Sequence, residues 1–109
     1  MSRISTYLNF TDETEQAFEW YRSIFGGEFV GGIHRMGEAP PQPGRPELDV
    51  ATANLIMHVD LEILGGHHLM GTDAPPSMGF AVNMGNNIYI NLEPDTRSEA
   101  DSLFAKLSE

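Results

Sequence analysis

Residues 58–73 read HVDLEILGGHHLMGTD, and they carry the clearest structural pattern in the chain. Apolar and polar residues alternate on both sides of Gly65-Gly66, which predicts a β-hairpin with one buried face. With Gly65-Gly66 as a two-residue turn, Leu61 lies opposite Met70 and His58 lies opposite Asp73. The predicted core face carries Met57, Val59, Leu61, Ile63 and Met70, with His68 near its rim. The opposite, polar face carries His58, Asp60, Glu62, His67 and Asp73.

The N-terminal part of the chain predicts a strand, a helix and a second strand. Residues 3–10, RISTYLNF, alternate, with Leu8 and Phe10 on one face and Tyr7 and Asn9 on the other. The cluster TDETEQ then caps a helix, which ends where Gly26-Gly27 allows a left-handed turn. Residues 28–36, EFVGGIHRM, predict the second strand.

The remaining segments predict a loop, the hairpin, another strand and a final helix. Residues 37–49, GEAPPQPGRPELD, are a loop because of their prolines, and Arg45 within it is a candidate contact for an anionic ligand. Residues 88–92, IYINL, predict a strand. Residues 93–109 predict a helix with Thr96 and Glu99 as its capping box. The order predicts an α+β fold in which a βαβββ unit begins a second time.

Composition excludes several classes of protein. The chain has 109 residues, no cysteine and a formal net charge of −10 at pH 7. Its length predicts one domain with a small core. The negative charge repels phosphate groups, so we expect no nucleic-acid binding and no membrane binding. There is no apolar run of membrane-spanning length and no secretory signal pattern, and cysteine is absent, so we expect a cytoplasmic protein.

Three segments together resemble one known family: YLNF at residues 7–10, QAFEWYRSIFGGEF at 16–29 and IMHVDLEILGGHHLMGTDAPPS at 56–77. They are similar to PhnB-like proteins of the glyoxalase/bleomycin-resistance/dihydroxybiphenyl dioxygenase superfamily, also called vicinal oxygen chelate proteins. The resemblance implies βαβββ modules whose open sheet curves around a cleft. It implies a single domain at 1–109, with a first module at 1–75, a linker at 76–86 and a truncated second module (βα) at 87–109.

The polar face of the hairpin is expected to line that cleft. His58 and Asp73 would then face each other at a Cβ separation of roughly 5 Å. An acid beside the imidazole suits a general base, a ligand-binding dyad or a structural clasp. These two are the candidate catalytic residues. The candidate ligand-binding residues are Tyr7, Asn9, Asp60, Glu62 and His67.

A metal site is an alternative interpretation of the same residues, since His58, Asp73 and Glu62 supply nitrogen and oxygen donors. The resemblance implies that metal ligands in this family are His and Glu on the first and last strands of each module. The first strand here offers Tyr7 and Asn9, and residues 88–92 offer a tyrosine and an asparagine. We therefore expect no cofactor and no tightly bound metal, and rank a divalent metal below that outcome. A polar sheet face without any site is the third interpretation.

The leading functional hypothesis is a glyoxalase/bleomycin-resistance-like protein with a small-molecule cleft. Its alternatives are a metal-dependent lyase or dioxygenase of the same superfamily, and a non-catalytic sequestering protein or inactive paralogue. The methionines Met57, Met70, Met78 and Met84 are assigned to packing. We also expect a homodimer, with exchange of elements as one route, because three strands of the second module are missing from this chain and strand 88–92 and the last helix need a cover.

Overall fold

The computed structural model describes residues 2–40, 43–44 and 47–109. Its elements, in chain order, are β1 (Thr6–Phe10), α1 (Thr14–Phe25), β2 (His34–Arg35), a 3-10 turn (Met36–Glu38), α2 (Val50–Ala53), β3 (Ile56–Glu62), a 3-10 turn (Leu64–Gly66), β4 (His68–Asp73), a 3-10 turn (Pro76–Met78) and α3 (Arg97–Leu107). The predicted α+β class is confirmed. In the described parts of the chain, every helix is too short or too polar to cross a membrane.

The four strands form one mixed sheet in the order β1-β4-β3-β2. β1 runs parallel to β4, whereas β3 is antiparallel to both β4 and β2. α1 packs on one face of the sheet, where its fully buried Phe18 contacts a cluster formed by Val59, Leu61 and Leu69. The apolar stripe of α1 predicts this arrangement. We call the face that α1 covers the inner face and the opposite face the outer face.

The β3–β4 hairpin is confirmed, but its register differs from the predicted register by one residue. Leu61 pairs with Leu69 and not with Met70. The loop explains the difference, because it has three residues, Leu64–Gly66, and the Ile63 N–H donates to the His67 carbonyl at 2.8 Å. Both loop glycines have positive φ, a conformation that glycine adopts without steric cost. A slip of one residue turns every β4 side chain to the other face of the sheet.

A bulge in β3 changes a second prediction. His34 pairs with His58 and Arg35 pairs with Ile56, so one step along β2 spans two steps along β3. Met57 is the extra residue, and a bulge of this kind redirects a side chain. Met57 was predicted to face the core, but its side chain is 40% exposed.

Asp73 is a structural residue of the inner face. Its two carboxylate oxygens accept hydrogen bonds from the Thr14 N–H at 3.1 Å and from the Ile56 N–H at 2.7 Å. The first of these contacts places a negative charge at the N-terminus of α1, where the helix dipole favours it. Asp73 therefore fastens the start of α1 to the start of β3, and its buried carboxylate has its hydrogen bonds supplied by the backbone.

The C-terminal part of the chain agrees with the prediction only in its helix. α3 begins after Thr96, whose hydroxyl accepts a hydrogen bond from the Glu99 N–H at 3.1 Å. The predicted strand at residues 88–92 does not form, and Ile88 and Tyr89 are 81% and 86% exposed. Within residues 2–40, 43–44 and 47–109, no strand pairs with this segment, so its β-type sequence pattern lacks a tertiary partner there. The module boundaries at residues 75 and 87 stay predictions.

Candidate functional site

The outer face of the sheet carries a row of accessible polar and aromatic side chains. Tyr7 and Asn9 of β1 point to this face, and Thr72 of β4 is the partner of Asn9 in the parallel ladder. They share a face because alternate residues of a strand point to the same side. α1 covers the inner face only, so Tyr7 remains 47% exposed. A molecule in solution can therefore reach this part of the sheet.

A cleft of about 1000 Å³ lies over one end of the outer face. Sheet residues Tyr7, Asn9, Met57 and Thr72 form its floor, and segments that follow β2 and β4 form its walls. This volume is at the upper end of the range for small-molecule sites. The lining consists of Tyr7, Leu8, Asn9, Met36, Gly37, Ala39, Pro40, Glu47, Leu48, Ala53, Met57, Thr72, Asp73, Ala74, Met78, Phe80, Ala81, Val82 and Asn83.

His58 lies beside this cleft, between Tyr7 and His34. The Tyr7 hydroxyl and His58 Nδ1 are 3.2 Å apart, and the His34 ring stacks on the His58 ring with centroids 6.4 Å apart. Burial raises the pKa of the Tyr7 phenol, so the phenol keeps its proton at neutral pH and can donate it to Nδ1. A neutral His58 then carries its own proton on Nε2. Tyr7 therefore connects the cleft to an imidazole that does not itself line the cleft.

A histidine–acid pair, separate from His58, also occurs on the outer face. His68 Nδ1 donates to Asp60 Oδ1 at 2.8 Å, and Asp60 is only 5% exposed. The hydrogen bond fixes the orientation and the tautomer of the His68 ring. Neither residue lines the cleft. The pair therefore joins β3 to β4 away from the cleft.

The structure separates the predicted catalytic pair, His58 and Asp73. His58 is on the outer face, whereas Asp73 is on the inner face with the backbone of Thr14 and Ile56 as its partners. The predicted hydrogen bond between them is wrong because the three-residue loop turns β4 over. Tyr7 takes the place of Asp73 as the hydrogen-bond partner of His58.

The predicted ligand-binding residues are distributed over both faces. Tyr7 and Asn9 line the cleft, as their positions on β1 predict. His67 lies on the inner side, where its Nε2 is hydrogen-bonded to the Thr6 hydroxyl at 2.8 Å. Asp60 is bonded to its histidine partner, and Glu62 is exposed away from the cleft. Their roles in binding stay predictions, and Arg45 lies outside the described residues.

The residues of the outer face do not fit a transition-metal centre. Among residues 2–40, 43–44 and 47–109, no three His, Cys, Asp or Glu side chains come together at a point. A protein site for such a metal requires at least three nitrogen, oxygen or sulfur donors at short distance. β1, where the resemblance implies ligands, supplies a phenol from Tyr7 and an amide from Asn9 instead.

Solved structures similar to this chain include two that match along nearly its whole length. Protein PA1353 from Pseudomonas aeruginosa has a TM-score of 0.78 and 27% sequence identity, over 100% of this chain and 74% of that chain. A PhnB protein from Bacillus cereus, proposed to be a 3-demethylubiquinone-9 3-methyltransferase, has a TM-score of 0.59 and 26% identity, over 99% and 74% of the two chains. The chain has a PhnB-like fold of the glyoxalase superfamily. No family model and no curated protein matches the sequence.

In this PhnB-like chain, the residues that the sequence did not assign to the site are mainly apolar. Met36, Met57, Met78 and Phe80 all line the cleft. The sequence offers no signal for Met57, because the bulge that exposes it depends on the pairing with β2. Met78 and Phe80 follow β4 in an irregular segment, whose position over the sheet is a tertiary property. Periodicity locates elements, and it does not locate the walls that loops provide.

Proposed function

We propose that this PhnB-like chain binds a small, mainly apolar molecule in the cleft on its outer face, without a metal ion. The observation that carries the proposal is the cleft of about 1000 Å³ and the exposed apolar surface on its floor. Met57 is 40% exposed there, although regular alternation along β3 would place it on the buried inner face with Val59 and Leu61. An apolar ligand that removes such surface from water gains roughly 25 cal/mol per Å².

The polar atoms of the floor supply orientation. The Asn9 side chain offers an amide, and the Tyr7 hydroxyl lies at the boundary between the cleft and His58. Small-molecule sites commonly combine an apolar lining with a few polar groups of this kind. A ligand with one hydrogen-bonding group at its end satisfies this arrangement. The site is then a binding and sequestering site.

A second function, metal-free proton transfer, is favoured by one specific contact. The Tyr7 hydroxyl is 3.2 Å from His58 Nδ1, so a proton can pass between the cleft and the imidazole through the phenol. Tyr7→Phe removes this hydroxyl and keeps the ring. We expect deuterium from D2O to enter an acidic C–H bond of a bound ligand with the natural chain and not with Tyr7→Phe. Binding alone, with no exchange in either protein, contradicts the transfer function.

The methyltransferase proposal made for the Bacillus cereus protein is not extended to this chain. Such an enzyme needs a site for its methyl donor. The sequence contains no G-x-G-x-x-G segment after a strand, which is one common way to bind a nucleotide-like cofactor. The cleft alone supports binding of a single small molecule.

Titration with the neutral dye Nile red tests the binding proposal. We expect saturable fluorescence enhancement at one dye per chain. Met57→Glu places a carboxylate on the cleft floor, and desolvating that charge should weaken dye binding at least about tenfold. Met84→Glu is the matched control, because Met84 is 74% exposed and does not line the cleft. Equal dye affinity in the two variants, both with natural melting curves, contradicts the proposal.

A further inference from the structure

Three of the six methionines of this chain meet in the cleft. Met57 stands on the floor, Met36 comes from the 3-10 turn after β2, and Met78 comes from the 3-10 turn after β4. These residues are far apart in the sequence and belong to three different elements. Their convergence is therefore a property of the fold and not of a methionine-rich segment.

Two aromatic rings face the same space. Tyr7 on the floor and Phe80 on the wall are 47% and 52% exposed, although large rings are usually buried when an apolar surface is close by. The cleft therefore combines thioether sulfur atoms with aromatic faces. Both kinds of group prefer an aromatic partner to a saturated one, through sulfur–aromatic contacts and through offset or edge-to-face ring pairs.

We infer that the ligand of this cleft is an uncharged, planar aromatic molecule. The inference rests on the proposed binding function and names the class of ligand for the same site. Methionine side chains are flexible, so Met36, Met57 and Met78 can adjust to the edges of a flat ring system. Tyr7 and Phe80 provide surfaces on which such a ring can stack. An uncharged molecule also needs no counter-ion when it leaves water.

A pair of matched probes tests this inference, namely 2-naphthol and decahydro-2-naphthol. They share a ten-carbon skeleton and one hydroxyl, and they differ in that only the first is planar and aromatic. We expect 2-naphthol to displace Nile red at a concentration about tenfold lower than its saturated counterpart. Equal displacement by both probes overturns the inference and leaves the binding function intact. Displacement by neither probe from a chain that binds Nile red also overturns the inference. A chain that does not bind Nile red at all overturns the binding function and the inference together.

Two variants separate the contribution of sulfur from that of shape. The double substitution Met57→Leu and Met78→Leu keeps apolar side chains of similar size and removes two sulfur atoms. We expect the affinity for 2-naphthol to fall roughly three- to tenfold while that for decahydro-2-naphthol stays the same. Met84→Leu, outside the cleft, should change neither affinity. Equal losses for both probes in the double variant would contradict a role for the thioethers.

Discussion

Gly71→Ala should destabilise the fold, because β4 and α1 pack closely at this glycine and leave no room for a methyl group. A methyl group built on Gly71 would lie 2.5 Å from Phe18 Cε1, 2.9 Å from Phe18 Cζ and 3.1 Å from Thr14 Cγ2. Carbon atoms in contact are normally about 3.5–4.0 Å apart. Phe18 is fully buried in the core cluster and cannot move into solvent to make room.

Two opposing effects set the change in the free energy of unfolding of the Gly71→Ala protein. Overpacking a well-packed core typically costs about 1–3 kcal/mol, and three close contacts at once place this substitution toward the upper end. Alanine is intrinsically better than glycine in a strand by roughly 0.5–1 kcal/mol, which offsets part of the cost. We expect a net loss of about 2 kcal/mol in the free energy of unfolding, which would lower the melting temperature by roughly 8–16 °C at 4–8 °C per kcal/mol.

Urea unfolding followed by circular dichroism measures this loss. Gly85→Ala is the matched control, since its added methyl would meet only Asn87 Oδ1 at 4.0 Å. The comparison also tests the hairpin register, because a two-residue turn at Gly65-Gly66 would direct Gly71 to the outer face. There an added methyl would not meet Phe18. A Gly71→Ala protein as stable as the Gly85→Ala protein would refute the three-residue loop and the packing of α1 on β4.

Three further predictions concern other parts of the chain. Thr14→Val should raise the free energy of unfolding by about 1 kcal/mol, because the buried Thr14 hydroxyl has no hydrogen-bond partner in the described structure. A lower free energy of unfolding in urea would contradict this and show that the hydroxyl is hydrogen-bonded. Hydrogen bonds from Arg35 lower the pKa of the Glu15 carboxyl, so Glu15→Gln should cost less than about 1 kcal/mol at pH 7 for this part-exposed pair. Because the pKa of Glu15 is lower in the folded chain than in the unfolded chain, the stability lost on Glu15→Gln should be full above about pH 4.3 and should vanish as the pH falls through the lowered pKa. A loss of stability that does not change with pH would contradict a role for the ionised carboxylate. We propose that the chain forms a homodimer that covers the exposed Ile88 and Tyr89, so light scattering should give twice the chain mass; a monodisperse monomer unchanged on dilution would contradict the dimer.

The sequence predicted the elements better than it predicted their pairing. The alternation around Gly65-Gly66 placed the hairpin correctly, and the β1 alternation placed Tyr7 and Asn9 on the face that forms the cleft. The number of loop residues decided the register, and Gly-Gly fits both a two-residue and a three-residue loop because either glycine adopts positive φ. Because of this one-residue ambiguity, the Asp73 carboxylate was predicted to face His58, whereas it binds the backbone of Thr14 and Ile56 on the inner face and Asp73 only borders the cleft.

The walls of the cleft could not be predicted from local pattern. Met57 is exposed by a bulge that arises from the pairing of β2 with β3, and such a pairing links residues more than twenty positions apart. Met78 and Phe80 lie in a segment without periodic pattern. Residues 88–92 show the opposite error, in which a strong strand pattern pairs with no strand of the described part of the chain. In each case the observed structure depends on whether a long-range contact is present, and the local sequence pattern does not specify that contact.

Methyl NMR of ¹³C-methionine-labelled protein can locate the bound molecule, because the methionines lie both inside and outside the cleft. On addition of Nile red, we expect the methyl signals of Met36, Met57 and Met78 to shift, since the ring of the dye would lie against them. The signal of Met84, which is exposed elsewhere, should stay in place. Shifts at Met84 with unchanged signals from the three cleft methionines would contradict binding at the outer face.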